Sequence, residues 1–298
     1  MRRALSVLLA MLPAVSAPAA DAPPGPFAND ACVGCHDKET PTVVAGWRRS
    51  VHASAVPAVD CIACHGDRHP GAATRARRNE ACTACHGGPK ESVVRSYLTS
   101  KHGVIAAIED RRWDWTRKLA DANYRSPTCP YCHLRTGQHD VGRGIAFRDS
   151  LREGNPATVD QGREAMEDAC RDCHSARYVG VLAASGGRTM EIARRKVLEA
   201  ENVLEKTLIA AVAAETDDAA DIEELRRRVE AMRSRSLNDL WRGVAHHSPD
   251  YQWWYGQAAL DGDLVRVKAV ATKIWRKRTL AAGADGGKEA PRPTRPGN

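Results

Sequence analysis

The hydrophobic positions in the C-terminal third of the chain repeat with the period of an α-helix. Apolar side chains recur every three or four positions in residues 190–211, which places them on one face of a long helix. The same spacing returns in residues 222–232 and in residues 260–274, the last two segments being separated by an aromatic-rich link at residues 246–256. The pattern predicts three long helices within residues 181–281.

The tail, residues 282–298, is rich in glycine, proline and charge, and this composition predicts disorder. Residues 29–180 show neither a sustained helical period nor the alternation of a strand. Glycine and proline recur through them, as at Gly87, Gly88 and Pro89, and favour short helices joined by loops. The predicted fold class is therefore all-α with much irregular structure.

The N-terminus has the three parts of a secretory signal peptide. A basic start at Arg2 and Arg3 precedes an apolar run at residues 4–15 and small residues suited to cleavage near residue 20. The apolar run is too short to span a bilayer, unless it stays uncleaved as an anchor. We expect a signal peptide at residues 1–20, a linker at residues 21–28 and export to the periplasm.

All ten cysteines fall into five Cys-x-x-Cys pairs, and a histidine follows each pair at once. The pairs are Cys32/Cys35, Cys61/Cys64, Cys82/Cys85, Cys129/Cys132 and Cys170/Cys173, followed by His36, His65, His86, His133 and His174. Two thiols three residues apart can form thioethers to both vinyl groups of one haem. The next residue then brings an imidazole to the iron as its proximal ligand. We number these motifs I to V.

Three other uses of Cys-x-x-Cys pairs compete with haem attachment: tetrahedral zinc sites, redox dithiols and disulfides. None of them requires a histidine after every pair, and an odd number of pairs suits four-ligand zinc sites poorly. The sequence therefore predicts five covalently bound haem c groups. With roughly 30 residues per motif, residues 29–180 cannot enclose five haems in a conventional apolar core, so the haems themselves must form the core.

The formal net charge of +7 would by itself suggest a nucleic-acid or anionic-membrane partner. Loss of the signal peptide removes two arginines, and each oxidised haem adds about −1 through its two propionates, so the mature protein is near neutral. We therefore expect no nucleic-acid binding and assign most arginines to propionates and solvated surfaces.

Six histidines outside the motifs are candidates for the sixth position on the irons. They are His52, His69, His102, His139, His246 and His247. A lone histidine is usually a surface or hydrogen-bonded residue, but here five irons need sixth ligands and free histidines are scarce. If the adjacent His246 and His247 count as one position, five positions serve five haems, which favours bis-histidine ligation throughout. Met166 is a weaker alternative ligand.

Several segments resemble hydroxylamine oxidoreductase and its multihaem relatives: residues 126–133 and 137–140 around motif IV, the Ser-Lys-His-Gly of residues 100–103, and the His-Ser-Pro-Asp-Tyr-x-Trp-Trp of residues 247–254. The order of motifs and histidines is also similar to the pentahaem nitrite reductases. The resemblance implies a homotrimer joined through the long helices and a catalytic haem on motif I. In hydroxylamine oxidoreductases that haem is crosslinked to a tyrosine of a neighbouring subunit, for which Tyr251 and Tyr255 are the candidates here.

The chain also departs from these families. Hydroxylamine oxidoreductases carry eight haems, and in the nitrite reductases the catalytic haem has a lysine where this chain has His36. Two hypotheses follow. The protein is either a carrier that passes electrons between periplasmic or membrane-bound redox partner proteins, or an enzyme that oxidises hydroxylamine or reduces nitrite at an open haem on motif I. If His52 or His69 binds the first haem, no open site remains there.

Overall fold

The computed structural model describes residues 25–118, 123–137, 139–141, 167–212 and 218–285. Every regular element in these ranges is helical, which confirms the all-α fold class. The predicted signal peptide, Met166 and residues 286–298 of the predicted tail lie outside the described residues. Among the described residues, no helix is both long enough and apolar enough to cross a bilayer.

The N-terminal part consists of short helices and turns. The helices are α1 (Asn29–Glu39), α2 (Pro41–Arg49), α3 (Cys61–His65), α4 (Ala72–Ala76), α5 (Glu80–Thr83), α6 (Ser92–Leu98), α7 (Lys101–Glu109) and α8 (Cys129–His133). Motif I lies within α1, whereas motifs II and IV each form a complete helix of five residues. The cluster of buried apolar side chains described here is small, with four members: Tyr97, Ala106, Trp113 and Trp115.

A helical bundle follows motif V. Its helices are α9 (Ala176–Val212), α10 (Ala219–Ala231), α11 (Leu237–Ala245), the three-residue α12 (Pro249–Tyr251) and α13 (Ala258–Asp285). Two π-helical segments, Met232–Ser236 and Gln252–Gln257, join α10 to α11 and α12 to α13. The chain thus forms three long helical rods, two of which contain a local widening of the helix.

The predicted apolar stripes form the core of this helical bundle. Met190, Ala193, Val197 and Ala200 of α9 are buried together with Leu225 and Val229 of α10 and with Leu260, Leu264, Val267 and Ala271 of α13. Asp218 at the start of α10 is also buried and pairs with Lys277 and Arg278 of α13, which links the ends of two rods.

The helix bounds differ from the sequence-based expectation in three places. The helix α9 begins directly after motif V and contains residues 180 and 181, where the sequence predicted a boundary between units. The predicted aromatic link is helical from Pro249 onward, because a proline fits the first turn of a helix, where its missing N–H costs nothing. The helix α13 continues to Asp285, beyond the expected start of the tail at residue 282.

A sharp turn at residues 246–248 joins the second and third rods. Ser248 N donates to Gly243 O at 2.9 Å and His247 N donates to Val244 O at 3.1 Å, the hydrogen bonds that close a helix with a left-handed residue. That residue is His247, with φ of 50°, and it is the single non-glycine residue of positive φ in the described ranges. Gly243 lets Gln252 approach, since an added Cβ would lie 2.8 Å from the Gln252 nitrogen.

Candidate functional site

The five motif turns lie beside one another in chain order. Burial raises the pKa of Cys61, Cys64 and Cys132, and each of these thiols also interacts with a thiol of a neighbouring motif: Cys61 with Cys32, Cys64 with Cys82 and Cys85, and Cys132 with Cys170. The side chains of Cys82 and Cys129 are hydrogen-bonded to each other. Motifs I to V thus form one continuous row.

The ten motif cysteines differ in exposure. Cys35, Cys85 and Cys173 are exposed, whereas the other seven cysteines are half-buried. A cysteine can form a thioether if its sulfur reaches the haem edge, whether or not the protein buries it. Exposed cysteines such as Cys35 and Cys173 are therefore still predicted to attach haem.

Motif V is joined to motif IV by polar side chains. Asp172, which lies between the two cysteines of motif V, accepts hydrogen bonds from the Tyr131 hydroxyl and from Arg135. Arg135 also donates to Asp168 O at 3.2 Å. The Arg135 guanidinium, followed by the Tyr131 hydroxyl, lowers the pKa of Asp172 to about 2, so the carboxylate is charged at neutral pH.

Four of the five motif histidines have a histidine from outside the motifs opposite them. The distances between ring centroids are 6.2 Å for His36 and His69, 6.0 Å for His65 and His139, 6.1 Å for His86 and His52, and 6.1 Å for His174 and His102. The structure therefore brings four of the six sequence-predicted candidates to motif histidines.

The ring separation tests whether these residues fit an iron ion. An imidazole nitrogen binds a first-row metal at about 2 Å, so two imidazoles on opposite sides of one ion have their ring centres roughly 6 Å apart. The observed 6.0–6.2 Å agrees with that span. The residues of motifs I, II, III and V therefore fit a haem iron between two imidazoles.

The fifth motif histidine, His133, interacts with His246. Burial, followed by the charge of His133, lowers the pKa of His246 to about 4. The adjacent His247 faces a different motif, since its electrostatic partners are His174 and His102. The sequence could only count these two neighbouring histidines as one position. In the structure His246 faces motif IV and His247 faces motif V.

Hydrogen bonds fix which ring nitrogen is free to bind metal. His139 Nδ1 donates to Gly137 O at 2.9 Å. The Ser96 hydroxyl donates to Val93 O at 2.9 Å, so its oxygen accepts from His246 Nδ1 at 2.7 Å. In these two histidines the Nδ1–H bond leaves Nε2 with the lone pair that an iron needs.

His36 has the same arrangement. The Thr40 hydroxyl donates to His36 O at 3.4 Å, and its oxygen accepts from His36 Nδ1 at 3.0 Å. Sequence reasoning missed both Thr40 and Ser96. Thr40 could have been found, because it follows His36 by one helical turn. Ser96 gave no signal, because it precedes its histidine by 150 residues, about half of the chain.

Burial keeps several of these imidazoles in the neutral form that binds metal. Desolvation is the main cause that lowers the pKa of the following histidines, and a nearby histidine charge adds to it: His52, His65, His102, His133 and His247. These imidazoles are therefore uncharged, which is the form that binds a metal ion.

Local structure holds His102 in place at the start of α7. Ser100 caps the helix by accepting from Gly103 N at 3.1 Å, and Ser126 donates to His102 O at 2.6 Å. The backbone of the preceding helix passes close by, since a Cβ on Gly103 would lie 2.2 Å from Tyr97 O. Only glycine fits at this point, which explains the Ser-Lys-His-Gly pattern.

His139 is held by α2 and the residues after it. Arg49 pairs with Asp140 at 3.8 Å, and Val51 N donates to Val141 O at 3.2 Å. Gly46 of α2 permits this approach, because a Cβ there would lie 3.2 Å from His139 N. The segment that follows motif IV is thereby brought back to motif II.

Of the candidate tyrosines, Tyr251 is the last residue of α12 and Tyr255 belongs to the π-helical segment that follows it. Tyr251 is 1% exposed, donates its hydroxyl to Asp239 at 3.3 Å, and stacks on Tyr255 with ring centroids 4.7 Å apart. Tyr255 is 42% exposed, and the Arg95 guanidinium lies over its ring. Tyr251 therefore packs and bonds within its own subunit, whereas the exposed part of Tyr255 could contact a neighbouring subunit.

Comparison with known proteins identifies the family. Residues 48–213, more than half of the chain, match the family described as "Seven times multi-haem cytochrome CxxCH". The chain belongs to this multihaem cytochrome family. Membership implies haem c bound covalently through the Cys-x-x-Cys-His motifs, and electron transfer through those haems.

Individual relatives confirm the resemblance of this multihaem cytochrome to the hydroxylamine oxidoreductase-like group. It is 24% identical, over 378 aligned positions, to a probable nitrite reductase-hydroxylamine oxidoreductase fusion protein of Kuenenia stuttgartiensis. That alignment covers 88% of this chain and 44% of the relative, so the chain spans less than half of the relative's length.

Two solved structures share the fold. A reducing HAO-like protein complex of Kuenenia stuttgartiensis aligns with a TM-score of 0.58 and 19% identity, covering 86% of this chain and 87% of the other. A hypothetical multihaem protein aligns with a TM-score of 0.55 and 17% identity, covering 74% and 59%.

The close packing at Gly103 makes a testable prediction. In G103A the new methyl group must displace the backbone of Tyr97 or of α7, and His102 moves with it. We expect unchanged haem content but a new high-spin, carbon monoxide-binding haem in the reduced absorption spectrum. The control is G180A on α9, where an added Cβ meets nothing within 4 Å. A G103A spectrum identical to that of the wild type would contradict the assigned role of His102.

Proposed function

We propose that this protein is a periplasmic pentahaem cytochrome that transfers electrons and has no open substrate site. The observation that carries the proposal is the placement of His69 opposite His36, with ring centroids 6.2 Å apart. A hydroxylamine- or nitrite-converting enzyme needs a free position on the iron of motif I. His69 takes that position, and Phe27 packs against its ring at 5.0 Å.

The proposal assigns one sixth ligand to each haem. The ligands are His69 for motif I, His139 for motif II, His52 for motif III, His246 for motif IV and His102 for motif V, and their support is the ring separations and contacts given above. When bound, each haem supplies reversible one-electron chemistry. Its potential should be low, because its iron lacks the methionine sulfur ligand that raises the potential of His/Met cytochromes.

The protein residues then have three tasks. The cysteines fix each haem to its turn, the paired imidazoles exclude substrate from the iron, and contacts between turns keep the motifs in one row. Thiols of neighbouring motifs lie near enough to interact electrostatically, from Cys32 and Cys61 at one end to Cys132 and Cys170 at the other, and this supports transfer along the whole chain of motifs. We further propose periplasmic or membrane-bound redox proteins as partners, in keeping with the expected signal peptide.

The second candidate function is hydroxylamine or nitrite chemistry at motif I. It is favoured by the names of the Kuenenia relatives and by the exposed face of Tyr255, which a neighbouring subunit could contact. It requires His69 to leave the position opposite His36. The carrier function needs no such movement and is therefore preferred.

We also propose that the protein assembles as a homotrimer through its long helices. Large apolar side chains remain exposed on the bundle, among them Val181 at 59% and Ile192 at 52% on one side of α9, and Trp253 at 55% and Trp254 at 67% near the third rod. Exposed apolar groups of this size favour contact with another protein surface.

The haem count is a first prediction. Protein matured in a host that attaches haem should gain five haem masses, which persist under denaturing conditions because thioethers do not dissociate. Intact mass spectrometry measures this directly. In C64A the haem of motif II should keep a single thioether, through Cys61, so one vinyl group stays unreacted and the pyridine haemochrome band of that haem shifts to longer wavelength. An unshifted band in C64A, or a wild-type haem count below five, would contradict the assignment.

The sixth ligands give a second prediction. The reduced wild-type protein should not respond to carbon monoxide, hydroxylamine or nitrite, since every iron has two imidazole ligands. In H69A one haem should become high-spin and bind carbon monoxide. The matched control is H247A, which removes a histidine from outside the proposed ligand set and should leave all haems low-spin. A native high-spin signal would favour the enzyme instead.

Assembly gives a third prediction. Sedimentation of the haem-loaded protein at micromolar concentration should give a trimer. The double variant W253S/W254S should dissociate more readily, because it removes exposed aromatic surface without touching the bundle core. A wild-type monomer under these conditions would refute the trimer and leave the electron-transfer proposal intact.

A further inference from the structure

Three of the five motifs follow the same kind of sequence. Motif I is preceded by Asn-Asp-Ala from Asn29, motif III by Asn-Glu-Ala from Asn79, and motif V by Glu-Asp-Ala from Glu167. Motifs II and IV have Ala58 and Ser126 at the corresponding position. The sequence before the motifs thus alternates, which suggests units of two motifs.

The two asparagines make the same hydrogen bond. Asn29 Oδ1 accepts from the backbone N–H of Cys61 at 3.1 Å, and Asn79 Oδ1 accepts from the backbone N–H of Cys129 at 2.8 Å. In both cases the acceptor lies three residues before the first cysteine of one motif, and the donor is the first cysteine of the next motif. Each asparagine therefore joins two haem-bearing turns.

These bonds satisfy N–H groups that a helix leaves free at its start. Thr128, at the N-terminal end of α8, makes no capping bond of its own with its side chain. Asn79 supplies the cap from a turn that is distant in sequence, and so the cap also becomes a connection between motifs III and IV. At α3 the local Asp60 caps Ala63 N at 3.1 Å, and Asn29 adds the bond to Cys61.

The residue at this position in motif V fits the same logic. Residues 175–298 contain no further Cys-x-x-Cys-His sequence, and Glu167 pairs instead with Arg171 one turn away at 2.6 Å. Among motifs I, III and V, the asparagine is thus present in the two motifs where it bonds to the next motif and is replaced by glutamate in motif V.

The junction between motifs III and IV contains additional bonds. Asn79 Nδ2 donates to the Tyr97 hydroxyl at 3.4 Å, and that hydroxyl donates to Pro127 O at 2.8 Å. Thr128 donates to Arg77 O at 3.0 Å. Asn79 is therefore one part of a network, whereas Asn29 has the simpler connection.

We propose that Asn29 and Asn79 are positioning residues that fix the haems of motifs I and II, and those of motifs III and IV, as two rigid pairs. The inference rests on the proposed electron-transfer function, since it assigns the asparagines a part in setting the interaction between neighbouring haems. It concerns the spacing of the turns and does not depend on whether the haem of motif I is open.

The experiment compares N29L, N79L and N79D as full-length, haem-loaded proteins. Leucine has the same number and branching of side-chain heavy atoms but accepts no hydrogen bond, whereas aspartate keeps the accepting oxygen. The readouts are haem count by intact mass, the electron paramagnetic resonance spectrum of the oxidised protein, and a spectroscopic redox titration. We expect five haems in all three variants. N79L should change the resonance signals and midpoints of two haems, and N29L those of a different two.

The N79D variant separates geometry from simple stability. Its added charge shifts midpoints, but its resonance line shapes should match those of the wild type, because the bond to Cys129 is kept. If N79L alters no signal and only melts about 2–4 °C lower, the effect of one lost capping bond, the asparagine is merely structural and the proposal is overturned. Overlapping sets of changed haems in N29L and N79L would also overturn it.

The design remains decisive if one variant fails. Should N79L not accumulate, N29L in the simpler junction tests the same bond, and unchanged signals there would overturn the proposal. A native haem that binds carbon monoxide would refute the proposed function, yet it would leave the signals of the asparagine variants interpretable. The two failures are therefore distinguishable.

Discussion

The structure depends on holding pairs of imidazole rings about 6 Å apart, with one ring on a haem motif and the other on a distant segment. Each such pair fits one iron, so each becomes a long-range connection through the protein. Residues 25–141 have only a small described cluster of buried apolar side chains around Tyr97 and Trp113. The paired histidines, with the haems they fit, take the place that an apolar core has in other small domains.

The helical bundle has a conventional core, and the turn that ends its second rod is bonded to the haem half. The turn after α11 presents His246, whose Nδ1 is held by Ser96 at 2.7 Å, and the Thr99 hydroxyl meets the Ser248 hydroxyl at 2.9 Å. These bonds join α6 to the end of the second rod. The bundle therefore holds the histidine that we propose as the ligand of motif IV, and the strained backbone of His247 follows from closing that turn tightly.

The sequence alone predicted those features that depend on residues close together in the chain. Cys-x-x-Cys-His is read within five residues, and the apolar stripes of α9 and α13 are read from their period. The pairing of histidines was not predictable, because it skips along the chain: His52, which stands just before motif II, lies opposite His86 of motif III, and His139, which follows motif IV, lies opposite His65 of motif II. The hydrogen bonds made by Asn29 and Asn79 could not be predicted for the same reason, because each joins residues far apart in the sequence.

Family membership does not decide between carrier and enzyme, because the same haem-bearing fold serves both. The difference rests on the occupant of one position opposite His36. The side chain there is an imidazole, His69, packed against Phe27, and it stands where a substrate would have to bind. Under the proposed ligand assignment, a change at His69 would open one iron and leave the row of the other motifs intact. In a multihaem fold, electron transfer along the haems thus depends on many residues, whereas catalysis needs an open coordination position on one iron.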